Sequence, residues 1–208
     1  MRVFLCVLVT VLLISPVLAK PILDKSGEAK GYLLERNDVP ELKLTYLRPS
    51  RWYFSAGGDK KFAYVASLTQ RWWRPADYTE ILVEVGIFPS QVDALQAAEL
   101  RVNTLKKKGR VQDQSLKGGQ LPGQAKGDRV WGLWDPPEPG EKPDPGKGVA
   151  PISMFGTVVF VKQEVCVQVT ARNMTNAVSL DDLEQLAKKI AVKIKPANEP
   201  PGQKDKKK

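Results

Sequence analysis

In the first half of the chain, short segments that alternate polar and apolar residues precede a longer segment with the apolar spacing of a helix. LKLTYL, from residue 42, predicts a strand, and RWYFSA with KFAYVASLTQRWW predicts a hairpin around a glycine turn. EILVEVGIF has an apolar residue at every second position and ends at Pro89. A helix is then predicted from Ser90, with Asp93 three residues on. Its predicted apolar stripe consists of Val92, Leu95, Ala98, Val102 and Leu105.

The second half of the chain has the same order of patterns. GDRVWGLW and TVVFV predict strands, and the turn KQE leads into the strand VCVQV. Ser179 and Asp182 then predict the start of a last helix. The apolar stripe of this helix is Leu183, Leu186, Ile190 and Ile194, and its polar face contains Asp181, Asp182, Glu184, Lys188, Lys189, Lys193 and Lys195.

Each half therefore predicts a strand-strand-helix unit, and the two units stand in tandem. We predict the α+β class, with an antiparallel sheet and both helices on one face of it. This is the simplest packing that buries both apolar stripes.

The N-terminus has the pattern of a secretory signal peptide. Residues 1–19 have one positive charge near the start, Arg2, continue as an apolar run and end in small residues, so we expect export and cleavage near Ala19. The alternative is an uncleaved membrane anchor. After cleavage, no apolar run is long enough to span a bilayer, and we expect a soluble protein in the periplasm or outside the cell.

The remaining chain divides by composition. Residues 20–40 are polar and predict a flexible N-terminal arm, and residues 41–195 predict a single domain. Six prolines in residues 135–151 predict an extended loop, either a spacer or a ligand loop. Residues 196–208 predict a disordered basic tail.

Composition excludes several classes of chemistry. The 208 residues include no histidine, which excludes Ser-His-Asp and Cys-His catalysis and histidine metal sites. After cleavage, Cys166 is the one cysteine left, so no intramolecular disulfide can form. It lies in an apolar strand and predicts a buried, inert thiol; a mixed disulfide, a covalent dimer or a catalytic thiol are the alternatives.

The carboxylates give no strong catalytic or metal-binding pattern. Glu80 and Glu84, four apart on a predicted strand, would be about 13 Å apart, whereas a glycosidase pair needs about 5 to 9.5 Å. Asp77, Asp128 and Asp135 lie near predicted loops or strand ends, where a solvated turn residue is a better interpretation than a metal ligand. We predict no catalytic residue, metal or cofactor.

The sequence TQRWWRP, residues 69–75, is the best candidate for a binding surface. On a strand, Arg71 and Trp73 point to one face and Trp72 to the other. An exposed indole beside an arginine suits sugar rings or lipid headgroups; alternatively, these side chains cover the edge of the core. The predicted ligand-binding residues are Arg71, Trp73, Arg74, Trp131 and Trp134.

The chain also resembles a known group of proteins. An apolar strand, an alanine- and leucine-rich helix, a glycine-rich loop, Gly127-Asp128 followed by Trp131, a hairpin and a closing helix extend over residues 42–195. This order resembles small exported bacterial α+β domains of lipoproteins and extracellular sensor domains, with a PsbP-like or related fold. The resemblance implies a fold and a compartment, and no reaction. The chain lacks the lipid-attachment cysteine of the lipoproteins.

The net charge is +9, or +8 without residues 1–19. A basic exported protein is attracted to anionic polysaccharide, cell-wall polymer or a lipid surface, and we expect no nucleic acid partner. The sequence identifies no protein partner. The predicted contact residues of the tail are Lys204, Lys206, Lys207 and Lys208. We therefore predict a non-catalytic binding or accessory module of the cell envelope. The alternatives are a histidine-free carboxylate-based hydrolase and a purely structural envelope domain.

Overall fold

A computed structural model describes residues 25–49, 64–107, 112–114, 121–123, 125–135, 154–173 and 178–195. The predicted signal peptide, most of the proline-rich loop, the basic tail and the glycine turn of the first hairpin lie outside these residues. Three helices are described: α1 (Ser26–Gly31), α2 (Gln91–Lys107) and α3 (Leu180–Lys193). A 3₁₀ turn at Arg36–Asp38 follows α1.

The described strands form one antiparallel sheet of seven strands, and the α+β class is confirmed. Their order across the sheet is β1-β2-β3-β7-β6-β5-β4. The strands are β1 (Lys43–Pro49), β2 (Ala66–Arg74), β3 (Thr79–Ile87), β4 (Gln112–Gln114), β5 (Arg129–Asp135), β6 (Met154–Lys162) and β7 (Val165–Asn173).

The sheet has two faces, defined by strand alternation. The first face includes Val83, Val169 and Val158, which oppose one another on β3, β7 and β6. The second face includes their neighbours, among them Glu84, Gln168 and Val159. The first face packs against α1 and α3, and its core includes Ala29 and Ile190. The second face of β6 and β7 packs against α2.

The prediction that both helices lie on one face is therefore wrong, because α2 and α3 lie on opposite faces. The reason is visible in β6, where residues 158–161 are all apolar and buried. Val158 and Phe160 contact the core under α3, while Val159 and Val161 contact the core under α2. A strand that is apolar on both sides needs a cover on each.

Both helices begin where the sequence predicts. The Ser179 hydroxyl accepts a hydrogen bond from the Asp182 N–H at 3.2 Å, and the Asp182 carboxylate accepts one from the Ser179 N–H. At α2 the Ser90 hydroxyl accepts the Asp93 N–H in the same way. These hydrogen bonds satisfy amide groups that a helix N-terminus leaves without partners.

The predicted helix faces need two corrections. Val92 is exposed and Leu95 is only partly buried, because α2 turns Ala94, Ala97 and Ala98 toward the sheet. On α3, Glu184 is buried although it belongs to the predicted polar face. Its carboxylate is 2.6 Å from the ammonium group of Lys188.

The flexible-arm prediction for residues 20–40 is wrong for residues 25–40, and residues 20–24 lie outside the described residues. Ala29, Leu33, Leu34 and Val39 are buried in the core on the first face of the sheet. The side chain of Gln70 fixes this segment, since its amide donates to the Leu34 carbonyl at 2.8 Å and accepts from the Leu34 N–H at 3.1 Å. Lys193 of α3 also donates to the Leu33 carbonyl at 2.7 Å, so apolar burial and polar contacts together dock this segment.

Candidate arginine–aromatic binding face

Strand β2 separates the two adjacent tryptophans. Trp72 points to the first face, opposite Ile81, and its side chain is almost fully buried in the core beside α1. Arg71 and Trp73 point to the second face, where both are partly exposed. The predicted placement of these three residues on the two faces of a strand is therefore confirmed.

Strand β1 contributes a second set of side chains beside Arg71 and Trp73. A register shift between Leu44 and Tyr46 places Tyr46 opposite Arg71. The hydroxyl of Thr45, within this shift, donates to the Arg71 carbonyl at 3.1 Å. As a result, Tyr46 and Arg48 lie on the second face of the sheet beside Arg71.

These residues form a continuous row that we call the arginine–aromatic ladder: Arg48, Tyr46, Arg71, Trp73 and Tyr78. The guanidinium carbon of Arg48 is 4.5 Å from the Tyr46 ring centroid, and that of Arg71 is 5.9 Å from it. The Arg71 guanidinium carbon is also 5.3 Å from the Trp73 ring centroid. Cation–π contacts at these distances hold each guanidinium group against a ring.

Tyr78 completes the ladder from the turn between β2 and β3. Its ring meets the Trp73 ring edge to face, with centroids 5.9 Å apart and an interplanar angle of 75°. Tyr78 has φ 54°, a left-handed conformation that is uncommon for a residue with a large side chain. Tyr78 is 55% exposed. The turn therefore holds an exposed aromatic ring at the end of the ladder in an unfavourable backbone conformation.

Glu80 of β3 organises the cationic side of this surface. Its carboxylate pairs with Arg71 and lies 3.7 Å from a guanidinium nitrogen of Arg172 on β7. The Glu80 side chain is 15% exposed, compared with 33% for Arg71 and 45% for Arg172. The carboxylate therefore lies beneath two more exposed guanidinium groups and orients both of them.

Arg74, a predicted site residue, is not part of the ladder. It lies on the first-face side of β2, opposite Thr79, and its guanidinium group binds both carboxylate oxygens of Asp77 at 2.9 and 2.6 Å. It also pairs with Glu41. The hydrogen bonds from Arg74 lower the pKa of Asp77 to about 2. Arg74 thus fixes the turn that carries Tyr78 and has two carboxylate partners of its own.

Trp131 and Trp134, the other two predicted ligand-binding tryptophans, lie far from Trp73 and are not part of the ladder. They lie on β5, four strands from β2, which corresponds to about 19 Å across the sheet. Trp131 packs against the core under α2 on the second face. Trp134 lies on the first face above Gly156, where an added Cβ would be 2.6 Å from its ring. The predicted tail residues Lys204, Lys206, Lys207 and Lys208 lie outside the described residues.

Other candidate groups have structural partners. Asp128 accepts hydrogen bonds from the Gln91 side chain and from the backbone N–H groups of Ala125 and Gln163 at 2.7 to 2.9 Å. Lys162 is buried and donates to the carbonyl of Ala191, near the end of α3, at 2.8 Å. Burial lowers the pKa of Lys162, although the Asp128 charge opposes this shift. Asp128 therefore links its loop to Gln91 at the start of α2, and Lys162 links the end of β6 to the last turn of α3.

The structure also bears on the thiol and on metal binding. Cys166 is completely buried against α2, and this burial raises the pKa of its thiol. Within the described part of the chain, no cluster of three or more cysteine, aspartate or glutamate side chains has a geometry suited to a metal ion. Glu80 and Glu84 of β3 both form ion pairs, the latter with Arg101 at 3.5 Å.

The sequence pattern did not single out Tyr46, Arg48, Glu80 and Arg172 as site residues. The alternation of LKLTYLRP places a tyrosine and an arginine two positions apart, so they share a face of a strand. The sequence therefore did contain a local signal for Tyr46 and Arg48. The neighbourhood of Glu80, Arg71 and Arg172 depends on the order β2-β3-β7, which joins the two halves of the chain and has no local signal.

Comparisons with known proteins show the fold. No protein-family model and no curated protein matches the chain. Among solved structures, it is similar to the extracellular domain of PknH from Mycobacterium tuberculosis, with a TM-score of 0.51 and 15% identity. The match covers 81% of this chain and 95% of that domain. Among the described helices, none is sufficiently long and apolar to cross a membrane.

Proposed function

We propose that this protein is an exported, non-catalytic binding module of the cell envelope and that the arginine–aromatic ladder binds anionic polysaccharide. One observation carries the proposal: two arginines are stacked on aromatic rings at an exposed sheet face, where their hydrogen-bond donors are oriented in advance. An arginine held in this way loses less conformational entropy when it binds a carboxylate.

The charge of the face supports an anionic ligand. Lys43, Arg48, Arg71 and Arg172 lie on the second face, and Glu80 is the carboxylate that pairs with two of them. Four positive charges therefore lie on the same face as the Glu80 carboxylate, and the next carboxylate of that face, Glu84, pairs with Arg101. Planar guanidinium groups bind carboxylates through two parallel hydrogen bonds, which makes them well suited to acidic sugars.

The aromatic rings favour a polysaccharide over a lipid surface or a nucleic acid. Trp73 and Tyr78 give two adjacent rings suited to contact with the apolar faces of sugars. The two exposed leucines of β1, Leu44 and Leu47, point to the first face, so they cannot insert into a bilayer that contacts the ladder. The ring of Tyr46 is contacted by two guanidinium groups, which leaves little area for stacking of nucleotide bases.

Export is supported by two independent features. Residues 1–19 have the pattern of a signal peptide. The fold is similar to a domain that is described as extracellular, the PknH domain. Cleavage near Ala19 belongs to this proposal and is tested by determining the N-terminal residue of the secreted protein.

The binding test uses retention of the protein on immobilised polygalacturonate at low salt. Arg71→Ala and Trp73→Ala should each weaken binding tenfold or more, because buried or stacked arginine and tryptophan residues are typical hot spots. Arg129→Ala is the matched control, since Arg129 is also an exposed, ion-paired arginine on the second face, but lies on β5. Equal retention of all three variants and the unmodified protein would refute the ladder as the binding site.

A further inference from the structure

Three arginines at or beside the ladder, Arg48, Arg71 and Arg172, form two separate cationic centres. Arg71 and Arg172 share the Glu80 carboxylate and form the first centre. Arg48 forms the second, and within the described residues it contacts the Tyr46 ring and no carboxylate. The first centre therefore has a net charge of +1, from two arginines and one glutamate. The second centre has the same net charge from a single arginine.

The distance between the centres is set by Tyr46. The guanidinium carbons of Arg48 and Arg71 are 4.5 and 5.9 Å from the same ring centroid, so they are at most about 10 Å apart. Arg172 lies farther away, two strands beyond β2. A single carboxylate therefore cannot bind Arg48 and Arg172 together, whereas a chain of acidic sugars can.

The ladder also has a direction. Arg48 and Tyr46 follow each other along β1, Arg71 and Trp73 follow along β2, and Tyr78 lies in the turn beyond. Consecutive members are 4.5 to 5.9 Å apart; guanidinium groups and rings alternate from Arg48 to Trp73, and a second ring, that of Tyr78, follows. A linear ligand that lies along this line contacts a charged group and a ring in turn.

We infer that the ladder binds linear acidic polysaccharide through at least two acidic groups at once, one at Arg48 and one at the Arg71–Glu80–Arg172 centre. This inference rests on the proposed function and adds the number and placement of the acidic groups. Binding at the second centre is intramolecular once the first is occupied, so affinity depends on chain length. Glu80 is a positioning residue in this arrangement.

The test compares galacturonic acid with its dimer, trimer and hexamer by calorimetric titration at fixed low salt. The hexamer should bind at least tenfold more tightly than the monomer, beyond the statistical factor for its repeated units. Arg48→Ala should remove most of this gain and leave the monomer affinity of the other centre within twofold. Arg129→Ala should leave the whole series unchanged.

The outcomes separate the two proposals. A series without a length effect, together with loss of polygalacturonate retention in Arg71→Ala, would overturn the two-centre inference and keep the proposed function. Absence of binding by every uronate and by polygalacturonate would overturn both. Tighter binding of polyphosphate or of phosphatidylglycerol vesicles than of the hexamer, with the same sensitivity to Arg48→Ala, would overturn the assignment to acidic polysaccharide.

Positioning by Glu80 has its own readout. Glu80→Gln removes a negative charge, so simple electrostatics predicts tighter binding of an acidic ligand. If Glu80 orients both guanidinium groups, the variant should instead bind the hexamer more weakly, by about threefold or more, while its dependence on salt concentration becomes steeper. Tighter binding in Glu80→Gln would contradict the positioning role. As a control, the unfolding midpoint of each variant must lie well above the temperature of the titration, so that every variant is folded when binding is measured.

Discussion

The two faces of β2 contain the same kind of residue in opposite environments. Trp72 is 4% exposed and lies in the core beside α1. Trp73, one residue later, is partly exposed and contacts Arg71 and Tyr78. The difference does not come from the residue type. It comes from the cover that the rest of the chain provides, since residues 25–40 pack on the first face of β2.

This comparison shows how one short sequence serves two purposes. The first face of the sheet stabilises the fold, because its many apolar side chains are buried away from water. The second face of β1 and β2 instead keeps charged side chains in ordered contacts at the surface, where ion pairs and cation–π contacts contribute little to stability. We therefore expect stability and ligand binding to respond to different substitutions.

The largest expected effect separates the two tryptophans. Trp72→Ala should lower the free energy of unfolding by about 3 to 5 kcal/mol, because it leaves a cavity in the core. Trp73→Ala should lower it by less than about 1 kcal/mol, as is usual for a surface substitution. Urea denaturation of both variants measures the difference.

A third variant makes this test sharper. The indole N–H of Trp72 is buried and has no hydrogen-bond partner among the described residues. Trp72→Phe keeps most of the packing and removes this donor, so its cost should be within about 1.5 kcal/mol. A cost for Trp73→Ala equal to that of Trp72→Ala would remove the distinction between the faces.

A smaller effect is expected from a second site on the first face. A Cβ on Gly156 would be 2.6 Å from the Trp134 ring and 3.0 Å from Leu183 of α3. Gly156→Ala should therefore destabilise the protein by about 1 to 3 kcal/mol through overpacking. The thermal unfolding midpoint measures this loss.

Gly27 provides the matched control for this substitution. It lies in α1, and a Cβ there would have no neighbour within 4 Å. Gly27→Ala should stabilise the protein by about 0.5 kcal/mol, because alanine favours the helix more than glycine does. If Gly156→Ala leaves the midpoint unchanged or raises it, as Gly27→Ala should, the space beside Gly156 is not filled by Trp134 and Leu183.

The smallest effect concerns the turn between β2 and β3. The pKa of Asp77 is lowered to about 2 in the folded protein, below its ordinary value of 3.8, chiefly by hydrogen bonds from Arg74. A lowered carboxyl pKa contributes stability above the unfolded pKa, and this contribution is lost as the pH falls from about 4 to 2. Asp77→Asn should therefore show a shallower loss of stability over this interval.

Chemical denaturation at several pH values between 2 and 6 gives both curves. The variant and the unmodified protein should differ most above pH 4 and converge toward pH 2. Parallel curves would show that the Arg74–Asp77 pair does not contribute to the stability of this turn. Because the pair lies near the surface, we expect a modest difference.

Local patterns were sufficient for much of the fold. Alternation predicted β3 and β7, capping residues predicted the starts of α2 and α3, and the repeated strand-strand-helix order predicted an antiparallel α+β sheet. These features depend on residues close in sequence, whose spacing determines which side chains share a face. The same alternation correctly placed Arg71 and Trp73 together.

The cover of each face was decided by tertiary structure. The sequences of α2 and α3 do not indicate on which side of the sheet each helix packs. In the structure the two helices lie on opposite sides. Residues 25–40 lack a clear period, yet four of their apolar residues complete the core on the first face. Burial depends on which segments meet, and this information is distributed over the whole chain.

The candidate site divides in the same way. The sequence alone determined that Arg71 and Trp73 point to one face and Trp72 to the other, because side chains alternate along any strand. Only the tertiary structure brought Arg48 and Tyr46 from β1, Glu80 from β3 and Arg172 from β7 to that face. It also separated Trp131 and Trp134 from Trp73, since three strands lie between β2 and β5. Strand order is set by the joint burial of both faces, and no short stretch of sequence contains it.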